Sequence, residues 1–293
     1  DYIKKYKNID IELYKIPLDD KKVFEMLSQG DSTGVFQLES TGIRKIMKRL
    51  KPNKLEDIVA LLALYRPGPL QSGMVDDFIN RKNGKEKIEY PHKNLEIILK
   101  ETYGVILYQE QVMKIASYMA NYSLGEADLL RRAMGKKNFA IMRENREKFI
   151  QRAVENNYTE EKADEIFELI DKFAGYGFNK SHSVAYAMIS YWTAYLKAHY
   201  PAFYFAAIMT SEISETGDVA YYFNDAKEHR ISIYPPNVNT PSAYFEIKND
   251  GISYSLAAIK NLGLNLAKKI VEDYEKHGAY TKLDEFVLRN KKN

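Results

Sequence analysis

Apolar residues recur at the spacing of an α-helix along much of this 293-residue chain. In residues 41–51, the pattern places Ile43, Ile46, Met47 and Leu50 on one face. A helix with one apolar face must bury that face against other elements. The repeated pattern therefore predicts a mainly α protein whose helices pack on one another.

Glycine and proline residues mark where the helical patterns end. Arg66-Pro67-Gly68-Pro69 stops one helix, because proline lacks the amide hydrogen that a helix interior needs. The segment 183–199 is apolar nearly all round, which predicts a buried central helix. The other predicted helices cover 41–51, 54–64, 109–121, 125–134, 139–154, a segment capped by Thr159, a segment that begins at Pro201, 218–229 and parts of 258–293.

A small β-structure is predicted in the last third of the chain. Residues 244–247 and 252–256 flank Lys248-Asn249-Asp250-Gly251, whose residue types favour a tight turn. Composition also changes after about residue 212, where 211–218 is polar and fits a linker. We therefore expect a helical core followed by a smaller region that contains a β-hairpin.

Composition excludes several classes of protein. The chain has no cysteine, which excludes disulfides, and its five histidines lack the spacing of a zinc helix motif. No apolar run reaches the length of a membrane span, and residues 1–30 lack a signal-peptide pattern. These features predict a cytoplasmic protein with no membrane partner. Because the first residue is Asp1 and not methionine, we expect a fragment or a processed chain.

A local excess of positive charge lies in residues 131–152. This stretch has eight Lys/Arg and two Glu, whereas the net charge of the whole chain is only +3. Arginine pairs can hold phosphate oxygens with two hydrogen bonds, and Gly135 would let a ligand approach the backbone. A solvated basic helix face explains the same residues equally well. For the basic face of 41–51, which carries Lys45 and Lys48, a solvated face is the more common explanation.

The segment 173–183 combines two glycines with aromatic residues, hydroxyls, a lysine and a histidine. A core segment does not need that mixture, and it approximates a phosphate-binding P-loop. The P-loop motif requires glycine at the positions of Ala174 and Asn179, so a nucleotidase of that type is excluded.

A weaker phosphate-binding prediction remains for the same segment. Lys180, Ser181 and Ser183 lie at the N-terminus of the predicted 183–199 helix, where free amide groups and the helix dipole favour an anion. Alternatively, Ser183 only caps the helix and the aromatic residues fill the core. His182 taken alone is more often a hydrogen-bonded structural histidine than a catalytic one.

The sequence predicts no metal site. Phosphoryl transfer by two metal ions needs closely placed carboxylates, and no Asp-x-Asp occurs in the chain. The adjacent pairs Asp19-Asp20 and Asp76-Asp77 would point apart on a helix or a strand, and one of them could simply cap a helix. The sequence thus offers cations that could bind phosphates but no carboxylates that could bind metal ions. That combination is expected for half of an active site.

Several motifs in order resemble the fingers domain of the bacterial DNA polymerase III alpha family, the C-family replicative polymerases. The resemblance covers nearly the full chain, and its motifs are specific in combination. They are Ile16-Pro17-Leu18-Asp19-Asp20, Val35-Phe36-Gln37-Leu38-Glu39-Ser40, Tyr65-Arg66-Pro67-Gly68-Pro69-Leu70, Leu107-Tyr108-Gln109-Glu110-Gln111-Val112-Met113, Leu130-Arg131-Arg132-Ala133-Met134-Gly135-Lys136-Lys137 and the 173–183 segment.

The resemblance implies that residues 1 to about 255 are the fingers of a DNA-directed DNA polymerase, of the type that lacks an inserted proofreading domain. Fingers of this family close over the incoming dNTP and the templating base. By this resemblance, 1–212 is the fingers core, 213–255 is its C-terminal part with short strands, and 256–293 begins a helix-hairpin-helix and clamp-binding region.

The resemblance also implies roles for individual residues. Those expected to bind the nucleotide, with His182 near its sugar, are Arg66, Arg131, Arg132, Lys136, Lys137, Lys180, Ser181 and His182. The basic faces of 44–51 and 131–152 supply residues expected to bind DNA, namely Lys45, Lys48, Arg143 and Arg146, and the hairpin in the last segment adds Asn261 and Gly263. No catalytic residue or bound cofactor is expected in this chain, because palm aspartates would hold Mg²⁺. The implied partners are template-primer DNA, dNTP, the palm and thumb, the sliding clamp and other holoenzyme subunits.

The segment Ala258-Ile259-Lys260-Asn261-Leu262-Gly263 is similar to the hairpin of a helix-hairpin-helix motif. That hairpin usually has two glycines, and Asn261 replaces the first. Asparagine tolerates left-handed backbone angles better than most residues, so the turn can persist. Backbone amides of such a hairpin can bind a DNA phosphate.

Two hypotheses about the function follow, one for an enzyme and one for a binding module. The chain is either the nucleotide- and DNA-binding fingers of a replicative polymerase, or a stand-alone helical nucleic-acid-binding module without catalysis. The absence of a metal-binding acidic motif does not separate the two hypotheses, because both predict it. We favour the polymerase, because the resemblance implies that the motifs surround a nucleotide and not only a phosphate backbone.

Overall fold

The computed structural model describes the backbone of residues 1–136, 139–173 and 177–291, with side chains except at positions 136, 139 and 140. Its α-helices are α1 (Tyr2–Lys7), α2 (Lys21–Ser28), α3 (Thr41–Leu50), α4 (Leu55–Leu64), α5 (Pro67–Gln71), α6 (Met74–Lys82), α7 (Glu96–Leu99), α8 (Gln109–Ala120), α9 (Leu124–Lys136), α10 (Phe139–Glu155), α11 (Glu160–Phe173), α12 (Lys180–His199), α13 (Pro201–Ser211), α14 (Thr216–Glu228), α15 (Gly263–His277) and α16 (Leu283–Asn290). The strands are β1 (Ile233–Tyr234), β2 (Glu246–Lys248) and β3 (Gly251–Ser253). The prediction of a mainly α fold is confirmed.

The described chain forms two compact units. One comprises Leu27–Asp31 and Ser40–Tyr191, and the other comprises Asp1–Met26, Ser32–Glu39 and Trp192–Asn293. Each unit gathers segments that are distant in sequence. The division into 1–212, 213–255 and 256–293 follows chain order instead, and it stays a prediction.

The unit that contains residues 40–191 has a core built from α8, α9, α10 and α11. Thr159 caps the start of α11, because its hydroxyl accepts a hydrogen bond from the amide of Lys162 at 3.2 Å. The predicted apolar stripe of this helix is buried and consists of Ala163, Ile166, Phe167, Ile170 and Phe173. Phe149 of α10 packs beside Phe167, with ring centroids 5.5 Å apart. The helical periodicity thus identified both the helix and its buried face.

Helix α3, in the same unit, follows the predicted pattern closely. The hydroxyl of Ser40 accepts from the amide of Ile43 at 3.4 Å and caps the helix. The apolar stripe is buried and consists of Ile43, Ile46, Met47 and Leu50. Helix α4 ends at Leu64, before Arg66, as predicted. A new short helix then begins at Pro67, where proline suits the first helical position.

The other unit carries the three-stranded sheet, in the order β1-β3-β2. Strand β1 is parallel to β3, and β2 pairs antiparallel with β3 so that Lys248 lies opposite Gly251. Asn249 and Asp250 between them both have positive φ angles, of 46° and 61°. Two such residues form the turn that best matches strand twist, so the predicted hairpin is confirmed.

Helix α12 is only partly buried, which corrects the prediction for 183–199. Val184, Tyr186 and Ile189 are 36–39% exposed, whereas Ala187 and Tyr191 are fully buried. Its apolar residues therefore serve two faces, one in the core and one open. No helix in the described ranges has both the length and the apolar character needed to cross a membrane.

Candidate nucleotide and nucleic-acid site

Helix α12 begins at Lys180, three residues before the predicted start at 183. The side-chain oxygen of Asn179 accepts from the amide of His182 at 2.8 Å and caps the helix. Ser183 is not the cap, since it is buried and its hydroxyl donates to the Val59 carbonyl at 2.6 Å. Lys180, Ser181 and His182 thus form the first helical turn. Residues 174–176 of the same motif lie outside the described residues.

Glu110 of α8 occupies the N-terminus of α12. Its carboxylate accepts from the amide of Lys180 at 3.0 and 3.1 Å and from the side-chain amide of Asn179 at 3.1 Å. The amide of Gln109 donates to the Phe178 carbonyl at 2.9 Å, which ties the two helix starts together. An anion was predicted at this helix end, and here a protein carboxylate takes that position.

The side chain of Lys180 is also engaged. Its ammonium lies 2.6 Å from the carboxylate of Glu101 and 5.4 Å from the ring centroid of Tyr108. Both members of the ion pair remain more than a third exposed. A competing anion can therefore reach Lys180 from solvent. Ser181 is exposed beside it.

Arg66, Phe178, His182 and Tyr186 form a continuous row of contacts. The guanidinium of Arg66 lies 4.3 Å from the Phe178 ring centroid. The His182 ring is 5.6 Å from Phe178 and 4.3 Å from Tyr186. Burial lowers the pKa of Arg66 from its ordinary value, yet a guanidinium stays charged at neutral pH. The structure thus places four of the predicted residues around the start of α12: Arg66, Lys180, Ser181 and His182.

Arg131 and Arg132 form a second group on α9. Both are hydrogen-bonded to Asp128, through Nε of Arg131 at 2.8 Å and Nε of Arg132 at 2.7 Å. The hydrogen bond from Arg131, followed by that from Arg132, holds the pKa of Asp128 below its ordinary value. Of the other two predicted residues, the side chain of Lys136 and the whole of Lys137 lie outside the part of the chain that the structure describes.

The rest of the 131–152 stretch is less basic than its sequence suggests. Nε and Nη2 of Arg146 donate to the two oxygens of Asp164 at 2.7 and 2.8 Å. Lys148 and Arg152 both pair with Glu126, which lies outside the stretch. Their hydrogen bonds, with that of Lys148 the strongest influence, hold the pKa of Glu126 far below its ordinary value. The predicted DNA contact Arg146 is therefore occupied by an internal partner.

Three other predicted DNA-binding residues are exposed without an ion pair in the described ranges. Arg143 is one, on α10, and Lys45 and Lys48 are the others, on α3. The aliphatic part of Lys48 passes close to Gly30, where an added Cβ would lie 2.5 Å from Cε of Lys48. The guanidinium of Arg44 donates to the Gly30 carbonyl at 2.8 Å. The basic face of α3 is thus partly structural and partly open.

The hairpin before α15 has the expected backbone. Asn261 and Gly263 have φ angles of 69° and 71°, both in the left-handed region. Asn261 therefore adopts the left-handed backbone conformation that glycine adopts most readily. Both residues are exposed, and α15 begins at Gly263, so the first amides of this helix lie at the hairpin.

One residue of each adjacent acidic pair contacts a residue elsewhere in the protein. Asp20 accepts from the amide of Val23 at 3.0 Å at the start of α2 and lies 2.9 Å from Nε2 of His199. Asp76 pairs with Arg49. The pair Asp19-Asp20 thus includes a helix cap, as anticipated. The expectation that Mg²⁺ binds to the palm stays a prediction.

Two acidic residues at the site were missed in the sequence. Asp128 stands three and four residues before Arg131 and Arg132, a spacing that signals ion pairs on a helix. Glu110 carries no local signal, because its partner Lys180 is 70 residues away.

The chain matches two known families. Residues 1–157 match the bacterial DNA polymerase III alpha subunit finger domain, and residues 230–293 match the helix-hairpin-helix motif. The second match covers the hairpin with Asn261 and Gly263.

Relatives of the chain carry the same name. The chain is 50% identical to DNA polymerase III subunit alpha of Aquifex aeolicus over 290 residues. The aligned region is 99% of this chain and 25% of that protein. The corresponding protein of Staphylococcus epidermidis is 47% identical over 287 residues, with 98% and 27% covered. That of Buchnera aphidicola is 49% identical over 289 residues, with 97% and 25% covered. The chain spans about a quarter of the length of these relatives. It belongs to the finger-domain family of the bacterial DNA polymerase III alpha subunit.

Proposed function

We propose that this chain is the fingers region of a replicative DNA polymerase and binds the incoming dNTP and template-primer DNA. The observation that carries the proposal is the group at the start of α12. There Arg66 and His182 contact the half-buried ring of Phe178, Lys180 lies in the first turn of the same helix, and the rings of His182 and Tyr186 are exposed. Cations suit a triphosphate, and aromatic faces suit a base or a sugar.

The triphosphate would bind to Lys180 and to the arginines of α9. Lys180 offers a mobile point charge, whereas Arg131 and Arg132 offer planar forks that match phosphate oxygens. The ion pair between Lys180 and Glu101 is partly exposed, so phosphate could replace the carboxylate at modest cost. Each cation would then contact an anion that carries more charge.

The sugar and base would lie against the row that His182 and Tyr186 form. Both side chains are exposed on α12, and Ile189 continues the open apolar face one turn later. An open aromatic pair stacks on any base, because every base has a π-face. Such a surface suits an enzyme that must accept all four nucleotides.

DNA would bind through its phosphates. Arg143, Lys45 and Lys48 are exposed, Arg146 would have to exchange Asp164 for a phosphate, and the hairpin at Asn261 and Gly263 offers backbone amides. Such contacts position a duplex without reading its sequence. The palm would supply the metal carboxylates and Mg²⁺. The thumb, sliding clamp and other holoenzyme subunits are the further partners that we propose.

Single-nucleotide incorporation by a full-length polymerase that contains this sequence tests the proposal. Arg131→Ala should raise the KM for dNTP, lower kcat, or both, by about tenfold or more, because a charge-assisted contact contributes roughly 1.5–3 kcal/mol. Arg49→Ala is the control, since Arg49 pairs with Asp76 on an exposed surface. Kinetics like those of the wild type for Arg131→Ala would remove the arginine from the nucleotide site. The chain by itself should not extend a primer, because it has no Asp-x-Asp motif.

A further inference from the structure

Asp128 contacts both arginines of the second group at once. Its Oδ1 lies 2.8 Å from Nε and 2.8 Å from Nη2 of Arg131, and its Oδ2 lies 2.7 Å from Nε of Arg132. The three residues share one helix, α9, at the spacings i, i+3 and i, i+4. One carboxylate thus joins two guanidinium groups.

The contacts use one edge of each guanidinium. Arg131 uses its Nε–Nη2 edge and Arg132 uses its Nε. The edge that Nη1 and Nη2 form can still bind an anion with two parallel hydrogen bonds, because each of these nitrogens carries a second N–H. The side chains of Arg131 and Arg132 are 33% and 64% exposed, so both remain partly open to solvent. A free arginine side chain would instead lose much rotamer freedom on binding.

We propose that Asp128 is a positioning residue that holds Arg131 and Arg132 oriented for the triphosphate of the incoming nucleotide. The inference rests on the proposed function of the two arginines. Two guanidinium groups around one carboxylate retain a net positive charge, so the cluster still attracts an anion. The orientation is present before the nucleotide arrives, and the nucleotide therefore meets fixed donors.

The opposite role would be competition, with Asp128 as an internal mimic of phosphate that the nucleotide must displace. The geometry favours positioning, because a single carboxylate cannot occupy the outer edges of two guanidinium groups while it binds their Nε atoms. The two roles predict opposite changes in the affinity for the nucleotide when Asp128 is removed. Removal of a positioning group weakens nucleotide binding, whereas removal of a competitor strengthens it.

Single-turnover incorporation by the full-length polymerase distinguishes them. Asp128→Asn keeps the shape, but its amide can accept from only one arginine and presents N–H groups to the other. We expect the apparent Kd for dNTP to rise about tenfold, with the maximal rate within twofold of the wild type. Asp128→Glu retains the charge and should recover at least half of the lost affinity. Asp164→Asn, which frees Arg146, is the matched control and should leave the Kd for dNTP unchanged.

A double-mutant cycle shows whether Asp128 acts through the arginines. In a variant that already carries Arg131→Ala and Arg132→Ala, the further change Asp128→Asn should have no effect on the Kd for dNTP. If the arginine variant itself binds dNTP like the wild type, the proposed function fails. If that variant is impaired but Asp128→Asn leaves the Kd unchanged or lowers it, the positioning role alone is overturned. Asp128→Ala replaces Asp128→Asn if the latter melts at a lower temperature than the wild type.

Discussion

The imidazole of His182 stacks on the phenol ring of Tyr186, with ring centroids 4.3 Å apart and planes inclined by 39°. The two residues are one helical turn apart on the open face of α12, and the Phe178 ring centroid lies 5.6 Å from that of His182. His182 thus contacts two aromatic rings. A side chain fixed in this way can act as a wall for whatever binds beside it.

We predict that His182→Ala relaxes discrimination against ribonucleotides. If the imidazole packs against the sugar, its removal makes room for the 2′-hydroxyl. The ratio of kcat/KM for deoxy- and ribonucleotides in the full-length polymerase should fall by about tenfold, the scale of a small steric contact. Tyr186→Phe keeps the stacked ring and serves as the control. An unchanged ratio with activity retained would leave His182 as a residue of the helix start only.

Removal of one partner of a buried ion pair should strongly destabilise the unit with residues 40–191, because the other charge would stay buried. The side chains of Asp57 and Lys82 are 1% and 6% exposed, and their charged atoms are 3.3 Å apart. Asp57 also accepts from the amide of Asn53 at 2.9 Å. Lys82→Met would leave a buried carboxylate without its cation and should cost about 3–5 kcal/mol.

Urea unfolding of this chain measures that cost. The matched control is Arg49→Met, which breaks the exposed pair with Asp76 and should cost less than about 1 kcal/mol. The double variant with Asp57→Leu and Lys82→Met should recover part of the loss, because neither charge then remains buried. Equal costs for the buried and exposed pairs would contradict the prediction.

The pH dependence of stability should reveal the ion pairs of Glu126. Its folded-state pKa is lowered, so the carboxylate stabilises the fold at neutral pH, above its unfolded pKa of about 4.3. That contribution is lost as the pH falls through the lowered folded pKa. The stability difference between the wild type and Glu126→Gln should therefore be full at pH 7 and shrink below about pH 4. Urea unfolding across this range checks it, and a stability difference that does not shrink on acidification would contradict it.

DNA binding by this chain should weaken steeply with salt and show no sequence preference. Each phosphate contact adds about 0.9 to the slope of log affinity against log salt concentration. Arg143→Gln should reduce the slope by about that amount, and Arg146→Gln should reduce it less, because Arg146 is paired with Asp164. Anisotropy with a primed template over a salt series measures both. Tight binding that ignores salt would contradict the phosphate contacts and favour a sequence-reading module.

The sequence was sufficient where local physics decides the structure. The stripe of α3, the Thr159 cap and the hairpin at Asn249 and Asp250 all follow from residue type and spacing. The predicted start of α12 at residue 183 was wrong although a local signal existed, because Asn179 is a residue type that commonly caps helices and it does cap this one.

Long-range pairs could not be predicted from the sequence. Arg146 and Asp164 are 18 residues apart, and Glu110 and Lys180 are 70 apart, so only the fold brings them together. For this reason the 131–152 stretch seemed more basic than it is. Arg143 and Arg146 have the same residue type three positions apart, yet one is open and the other is paired.

Photo-crosslinking tests the central claim, the nucleotide site, most directly. A dNTP with a photoreactive group on its γ-phosphate would be bound to the full-length polymerase on a primed template, irradiated, and mapped by mass spectrometry of peptides. We predict label in the peptides that contain Arg131 and Arg132 and in those that contain Lys180 to His182, lost when unlabelled dNTP competes. Label confined to other segments, such as 41–51, or label that unlabelled dNTP does not displace, would contradict the account.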